Sequence, residues 1–168
     1  HFVSAIPFIG DAEHGTKYNP IRFKDDSTLQ RDNVAVEFAT RVSKSKVDFI
    51  SSIREAMQNM YSSVPKDCKV CACPSVVFRA SELTHPEAME FGCDPDFNAW
   101  ENGAKNPKPC AINSRLRTAG AHIHIGHTIL QSMENKMKMV RIMDELLGIV
   151  SVILDGSREA IRRKQLYG

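Results

Sequence analysis

The stretch DNVAVEFA, residues 32–39, has the alternating pattern of a β-strand with two different faces. Side chains alternate across a strand. One face is apolar and predicts a buried side: Val34, Val36 and Phe38. The other alternates polar groups with alanines: Asn33, Ala35, Glu37 and Ala39. Small alanines beside a carboxylate leave open space above a sheet, so this strand, predicted to run from about residue 32 to 40, is a candidate for a ligand or ion site.

A second stretch, RTAGAHIHIG at residues 117–126, has a similar design. We predict a strand over about 118–126 with His122 and His124 on one face, roughly 7 Å apart at the usual strand rise. Gly120 and Gly126 lie on the same face and would let a ligand approach the backbone closely. A carboxylate and a neutral imidazole can bind one divalent cation, and a histidine ligand favours a site that accepts Mn²⁺ as well as Mg²⁺.

Each of these signals also has an ordinary structural explanation. A histidine on a strand is more often a surface or core residue than a ligand, and a single glutamate by default faces solvent. Two strands with complementary open faces together favour a site over either explanation alone.

The remaining pattern mixes strands and helices without regular βαβ alternation, which predicts an α+β fold with a mostly antiparallel sheet in a single domain over residues 1–168. The predicted elements are strands at 1–9 and 68–78, a helix capped by Ser43 or Ser45 and ending near residue 61, a long helix over about 128–154, and a final helix from Ser157. In the long helix we expect an inward apolar stripe: Leu130, Met133, Met137, Val140, Leu147 and Val150.

Composition narrows the function classes. A net charge of +2 gives no electrostatic case for nucleic acid or an anionic membrane, and no apolar run has the roughly 20 residues of a spanning helix. The odd count of five cysteines, clustered at Cys68, Cys71 and Cys73, argues for a reducing compartment over a disulfide framework. A structural zinc needs four ligands, so buried small hydrophobes are the favoured interpretation of this cluster.

Together, DNVAVEFA and the later LRTAGAHIHIGH resemble the phage-encoded COOH·NH2 ligases of the glutamine synthetase and γ-glutamylcysteine synthetase superfamily. Three further segments are similar to that family: GTKYNP at 15–20, FGCDPDFNAW at 91–100 and SREAIRRKQLYG at 157–168. The resemblance implies a curved antiparallel sheet with the site on its concave face and helices on its convex face. It also implies ATP with Mg²⁺ or Mn²⁺, and an acyl phosphate that an amine converts into an amide.

The resemblance also implies roles for individual residues. Glu37 and His122 match metal ligands, and His124 matches a histidine near the nucleotide phosphates. A transferring phosphoryl group requires fixed cations, for which the candidates are catalytic Arg117 and Arg163, with Lys17 and Arg162 binding nucleotide. Asn33 is assigned to the nucleotide site or simply to the start of the strand, and the arginine pair has a solvated helix face as its alternative.

The sequence departs from the family pattern at both ends. The family begins with a strand carrying paired acidic residues in a DPEF-like motif, and nothing similar precedes Phe2. We therefore expect a fragment that lacks its first strand and part of its metal site. The arginine expected after the Tyr167–Gly168 dipeptide is also missing.

The leading hypothesis is an ATP-dependent carboxylate–amine ligase of the cytoplasm, meaning the host cytoplasm for a phage protein, acting on small-molecule or peptide substrates. Two alternatives stay open: a metal-dependent hydrolase of the amidohydrolase type, and a non-enzymatic phage interaction module. The sequence names neither substrate and leaves the oligomeric state open.

Overall fold

A computed structural model describes residues 1–92, 94–120 and 122–155 of the 168-residue chain. These residues form short strands and helices, which confirms the predicted mixed class. They divide into two compact units, each described here by itself. The first comprises His1–Gly92 and Ala111–Arg117, and the second the described part of Cys93–Cys110 and Thr118–Gly168.

The described strands are short and belong to three small sheets where the sequence predicts one curved sheet. A three-stranded antiparallel sheet contains β1 (Ile21–Arg22), β2 (Thr28–Asp32) and β3 (Ala35–Ala39). The two other pairs are β4 (Ser75–Val77) with β7 (Leu116–Thr118), and β5 (Phe97–Asn98) with β6 (Ala104–Lys105). The strand predicted over 1–9 is absent, and the one predicted over 68–78 is confined to β4.

A tight turn joins β2 to β3 and sets the register of this hairpin. Asp32 pairs with Ala35 and Gln30 with Glu37. Asn33 has a φ of 51°, a left-handed conformation that asparagine tolerates better than most residues. The predicted strand therefore starts at Ala35, because the first residues of DNVAVEFA end β2 and form the turn.

Helix α1 (Lys46–Ser63) forms where the sequence predicts it. The hydroxyl of Ser45 caps it by accepting from the backbone N–H of Asp48 at 3.1 Å. Its buried residues recur every four positions, at Ser52, Ala56 and Met60, so one stripe faces the sheet.

The first unit has a core on one face of the three-stranded sheet. Ile9, Leu29 and Met60 form its centre, and Val36 and Phe38 of β3 pack against them. Val34 belongs to a second cluster with Phe78, Leu83 and Ala88. The apolar face predicted from DNVAVEFA is thus confirmed, while Ala35, Glu37 and Ala39 on the opposite face are exposed.

Short 3₁₀ turns connect the longer elements: Ala80–Leu83, Pro86–Met89, Ala99–Glu101 and Thr128–Gln131. In the second unit, α2 (Met133–Met143) continues through a π-helical turn (Asp144–Gly148) into α3 (Ile149–Leu154), so the predicted long helix is confirmed from Met133 onward, whereas its first predicted residues form the separate 3₁₀ turn Thr128–Gln131. No helix in the described ranges has both the length and the apolar character to cross a bilayer.

The apolar stripe predicted on that helix is wrong within the described residues, since none of its side chains is buried. Met133 is 67% exposed and Leu147 is 44% exposed. Arg141 of α2 donates to the carbonyl of Ala99 at 2.8 Å and lies 5.5 Å from the centre of the Trp100 ring. The spacing of apolar residues predicts that they share one face of the helix, but it does not show whether that face is buried.

We expect Leu29→Ala to lower the free energy of unfolding of the first unit by about 2–5 kcal/mol, because Leu29 is 0% exposed at the centre of its core and truncation leaves a cavity. Urea unfolding checks this. The control is Val42→Ala, at a side chain 92% exposed, for which we expect a change below about 0.5 kcal/mol. Equal effects of the two substitutions would contradict this description of the core.

Candidate functional site

The open face of the β2–β3 hairpin carries the polar residues of the candidate site. Gln30 and Asp32 project from β2 beside Glu37 of β3, and Ala35 and Ala39 leave the surface around Glu37 uncovered. The side-chain amide of Gln30 donates to one carboxylate oxygen of Glu37 at 2.8 Å. This bond orients Glu37 and leaves its second oxygen facing outward without a hydrogen-bond partner among the described residues.

Asp32 lies next to Glu37 at the end of the hairpin and is electrostatically strained. Although its side chain reaches solvent, neighbouring protein atoms remove part of its hydration, which raises the pKa of its carboxyl above the ordinary value of 3.8. The negative charge of Glu37 raises this pKa further, and the positive charge of Lys17 partly opposes the shift. Asp32, Glu37 and Lys17 therefore form one interacting set of charges.

Gly92 comes very close to Asp32. A Cβ atom at Gly92 would lie 2.4 Å from a carboxylate oxygen of Asp32, so only glycine fits there without displacement. Asn33 donates from its side-chain amide to the carbonyl of Glu90. The backbone of 90–92 thus packs onto the Asp32–Asn33 turn and accounts for much of the lost hydration of Asp32.

Lys17 is displayed at the tip of a tight turn. The backbone N–H of Asn19 donates to the carbonyl of Thr16 at 3.2 Å, and that of Gly15 to the carbonyl of Asn19 at 2.8 Å. Gly15 is buried with a φ of 73°, and a Cβ there would lie 2.9 Å from the Cα of Gly10. The GTKYN segment is therefore a defined turn, and it presents an exposed ammonium group near Asp32.

Arg31, which the sequence did not single out, holds this turn in place. Its guanidinium is buried and donates to the carbonyls of Ile9 at 3.0 Å and Asp11 at 2.8 Å, and its backbone N–H donates to the carbonyl of Gly15 at 2.8 Å. It also forms a two-bond ion pair with Glu87, at 2.8 and 3.1 Å. The sequence offered one signal for this role: Arg31 is a charged residue two positions after Leu29, on the face of the strand that is otherwise apolar.

The hydrogen bond from Arg31 lowers the pKa of Glu87 below its ordinary value of 4.5. The unfolded chain then binds this proton more readily than the folded one. The stabilisation from the pair is therefore complete above pH 4.5 and is lost as the pH falls through the folded-state pKa.

Arg117, which the sequence predicts to be catalytic, lies in a buried position where backbone groups engage it. Its guanidinium is buried and donates to the backbone carbonyls of Ser114 and Leu116, both at 2.7 Å, and of Ala88 at 3.2 Å. It also lies 5.5 Å from the centre of the Phe91 ring. These bonds hold the chain ahead of β7 and engage the guanidinium that the sequence assigns to the transferring phosphoryl group.

The predicted strand around the histidine pair does not form in the described residues. Strand β7 ends at Thr118, and residues 122–127 have no regular structure. His122 and His124 are exposed, and a Cβ added at Gly120 or Gly126 would meet nothing within 4 Å. Within the described residues 122–126, the period-two pattern HIHIG has no partner strand whose hydrogen bonds would fix it as a strand.

The remaining residues predicted for the site are Asn33, Arg162 and Arg163. Asn33 is used in the turn and in its bond to the carbonyl of Glu90. Arg162 and Arg163 lie outside the described residues. Within the part of the chain that the structure describes, no group of three or more His, Cys, Asp or Glu side chains forms a metal cluster. The first unit therefore contains three residues of the predicted site, Lys17, Asn33 and Glu37. Asp32, which was not predicted as a ligand, lies beside them.

No protein-family model, curated protein or solved structure matches the chain.

We expect Arg31→Met to lower the free energy of unfolding by about 3 kcal/mol, because it leaves buried carbonyls and a carboxylate without their charged donor. Hydrogen exchange should accelerate at Gly15 and Asn19 in the Lys17 turn. Arg22→Met, at an exposed position of the same sheet, is the matched control. Unchanged exchange in the turn would show that Arg31 does not hold it.

We expect Asp32→Asn to raise the free energy of unfolding at pH 7. A carboxyl with a raised folded-state pKa is harder to ionise in the folded chain, so the charge costs stability that an amide avoids. The difference from wild type should vanish below the ordinary pKa of 3.8 and grow as the pH rises through the folded-state pKa. Urea unfolding from pH 3 to pH 8 measures it, and a destabilised Asp32→Asn at pH 7 would contradict the assignment.

Proposed function

We propose that this chain belongs to an ATP-dependent carboxylate–amine ligase, with a part of its nucleotide and cation site on the open face of the β2–β3 hairpin. The observation that carries the proposal is the open face of the hairpin, where Gln30 holds Glu37 by a 2.8 Å hydrogen bond and Asp32 lies on the same face. The charges of Glu37 and Lys17 both act on the pKa of Asp32, which places the three groups in one electrostatic environment. Such a set, which costs stability where it stands, is more typical of a functional site than of a packing surface.

The donors on this face suit Mg²⁺ or Mn²⁺. Both carboxylates offer hard oxygen atoms, and Gln30 holds Glu37 in one orientation. Mg²⁺ in proteins is commonly held by one or two carboxylates, with water and substrate phosphates completing its shell. A pair without a third protein ligand is therefore compatible with a nucleotide-dependent ion, whose charge would offset that of the phosphates.

A cation would also relieve the repulsion between Asp32 and Glu37. In the chain by itself, the charge of Glu37 adds to the lost hydration of Asp32 and raises its pKa. Lys17 supplies a fixed positive charge beside the pair, on a turn that Arg31 stabilises through the carbonyls of Asp11 and Gly15. A lysine so placed suits a phosphate group as a point charge.

The proposed reaction follows the family resemblance. An oxygen of the substrate carboxylate forms a bond to the γ-phosphorus of ATP, and ADP leaves to give an acyl phosphate. The amine nitrogen then bonds to the acyl carbon, phosphate leaves, and the nitrogen loses a proton. In this scheme Lys17 would counter phosphate charge, and Asp32 and Glu37 would hold the divalent ion, which would neutralise charge on the phosphates. The resemblance assigns metal binding to His122 and a place near the phosphates to His124, and the hairpin site is proposed without either of them.

The hydrolase alternative is less well supported. Its basis is an HxH pair on a barrel strand, and residues 122–126 form no strand in the described chain, which also removes the strand that the ligase resemblance implies for these histidines. Besides the sequence resemblance, the ligase proposal rests on the carboxylates and the lysine of the hairpin face, and the hydrolase alternative does not use these residues.

We expect Glu37→Gln and Asp32→Asn each to weaken Mn²⁺ binding by at least about tenfold, because each removes a charged oxygen donor. Calorimetry with Mn²⁺ alone, and then with Mn²⁺ and ATP, measures this on the chain. Lys17→Met should weaken ATP binding in the presence of Mn²⁺ and leave binding of Mn²⁺ alone almost unchanged.

The matched control is Glu145→Gln, an exposed carboxylate of the second unit. With carboxylate and amine substrates added, ADP release that depends on both should be lost in Glu37→Gln and in His122→Ala. Full turnover in both variants would rule out the ligase, and equal Mn²⁺ affinity in Glu37→Gln and Glu145→Gln would rule out the hairpin site.

A further inference from the structure

The segment CKVCACP, residues 68–74, carries three of the five cysteines, and the proposed function uses none of them. In the structure Cys68, Cys71, Cys73 and Cys110 are all free thiols. Cys71 is exposed, and Cys68 and Cys73 are half-buried. The expectation that these residues are buried small hydrophobes is therefore wrong for Cys71.

Cys71 and Cys73 lie side by side. Their sulfur atoms are 3.8 Å apart, and only Ala72 separates them along the chain. A disulfide needs a sulfur–sulfur distance of about 2.05 Å, so closing the bond requires an approach of about 1.8 Å. Residues 69–73 belong to no helix or strand, which leaves the local dihedral angles able to make that adjustment.

Both ends of this segment are anchored. Val70, just before Cys71, packs against the core of Ile9, Leu29 and Met60. Ser75, two residues after Cys73, begins strand β4. The anchors keep the two thiols together, which gives each a high effective concentration towards the other.

The spacing of the cysteines alone would indicate a different pair. Cys68 and Cys71 form a CxxC motif, the spacing found in many dithiol oxidoreductases. Among the described residues, however, the sulfur–sulfur contact within 4 Å is that of Cys71 with Cys73. No third His, Cys, Asp or Glu of the described chain joins them in a metal-binding group, so the geometry favours disulfide chemistry over zinc.

We propose that Cys71 and Cys73 are a reversible dithiol–disulfide pair that reacts with low-molecular-weight disulfides such as oxidised glutathione. One thiolate attacks a sulfur of the oxidant, and the other half of the oxidant leaves as a thiolate that takes up a proton. The second cysteine loses its proton and attacks the first protein sulfur, and it releases the remaining half as a thiol. One oxidant is thus reduced to two thiols while the pair loses two hydrogen atoms.

The surroundings predict the pH dependence of this reaction. Partial loss of hydration and the neighbouring Cys73 thiol raise the pKa of Cys71 above its ordinary value of 9.0. The thiolate is the reactive form, so oxidation should be slow at neutral pH and accelerate as the pH rises.

The bond should also be easy to reduce. Its ring spans three residues, so closing it removes little entropy from the unfolded chain. Exposed or strained disulfides are the labile ones. Excess reduced glutathione should therefore return the pair to two thiols.

The peptide map of the chain tests the pairing directly. Trypsin cuts after Lys69 and Arg79, so one fragment, residues 70–79, contains Cys71 and Cys73, while Cys68 lies in fragment 67–69. The chain is treated with oxidised glutathione, alkylated and digested. We expect fragment 70–79 to lose two hydrogen atoms and to resist alkylation, and the alkylated form to reappear after reduced glutathione is added.

The variants separate the alternatives. Cys68→Ser should leave the internal bond intact, whereas Cys73→Ser should convert Cys71 into a lasting glutathione adduct. Cys110, an exposed thiol, is the internal control and should form only the adduct. A wild-type map in which fragment 70–79 is joined to 67–69, or carries glutathione on both cysteines, would overturn the proposal without reliance on any variant.

Discussion

Through one buried guanidinium, Arg31 connects parts of the first unit that are far apart in the sequence. It extends from β2 to the carbonyls of Ile9 and Asp11, and it forms an ion pair with Glu87. A buried charge is costly unless all its donors are engaged, and here carbonyls and a carboxylate engage them. The loop that carries Lys17 and the 3₁₀ turn that contains Glu87 therefore both depend on one residue of the hairpin.

The same hairpin divides the roles of its two faces. Leu29 and Arg31 point inward and determine the packing, while Gln30, Asp32 and Glu37 remain on the open side. Burial of the Arg31 charge is offset by its partners, but the charge of Asp32 is opposed by Glu37 and by lost hydration. Lys17 offsets this cost only in part, and a bound cation would reduce it further, so we propose the site at this face.

Short sequence patterns predicted correctly those elements that depend on neighbouring residues alone. The cap at Ser45, the long helix and the two faces of β3 could be read from residue spacing. The hydrogen bonds that join Arg31 to Ile9 and the approach of Gly92 to Asp32 depend on tertiary packing, which no short pattern encodes. The HIHI alternation gave the wrong element because a strand also needs a partner to accept its hydrogen bonds.

Paramagnetic NMR with Mn²⁺ tests the central claim most directly, because the broadening of each amide signal reports its distance from the bound ion. The account predicts that low concentrations of Mn²⁺ selectively broaden the amides of Asp32, Glu37 and Lys17, and that Glu37→Gln removes this effect. Broadening that is uniform, or that is centred on another part of the chain, would contradict it.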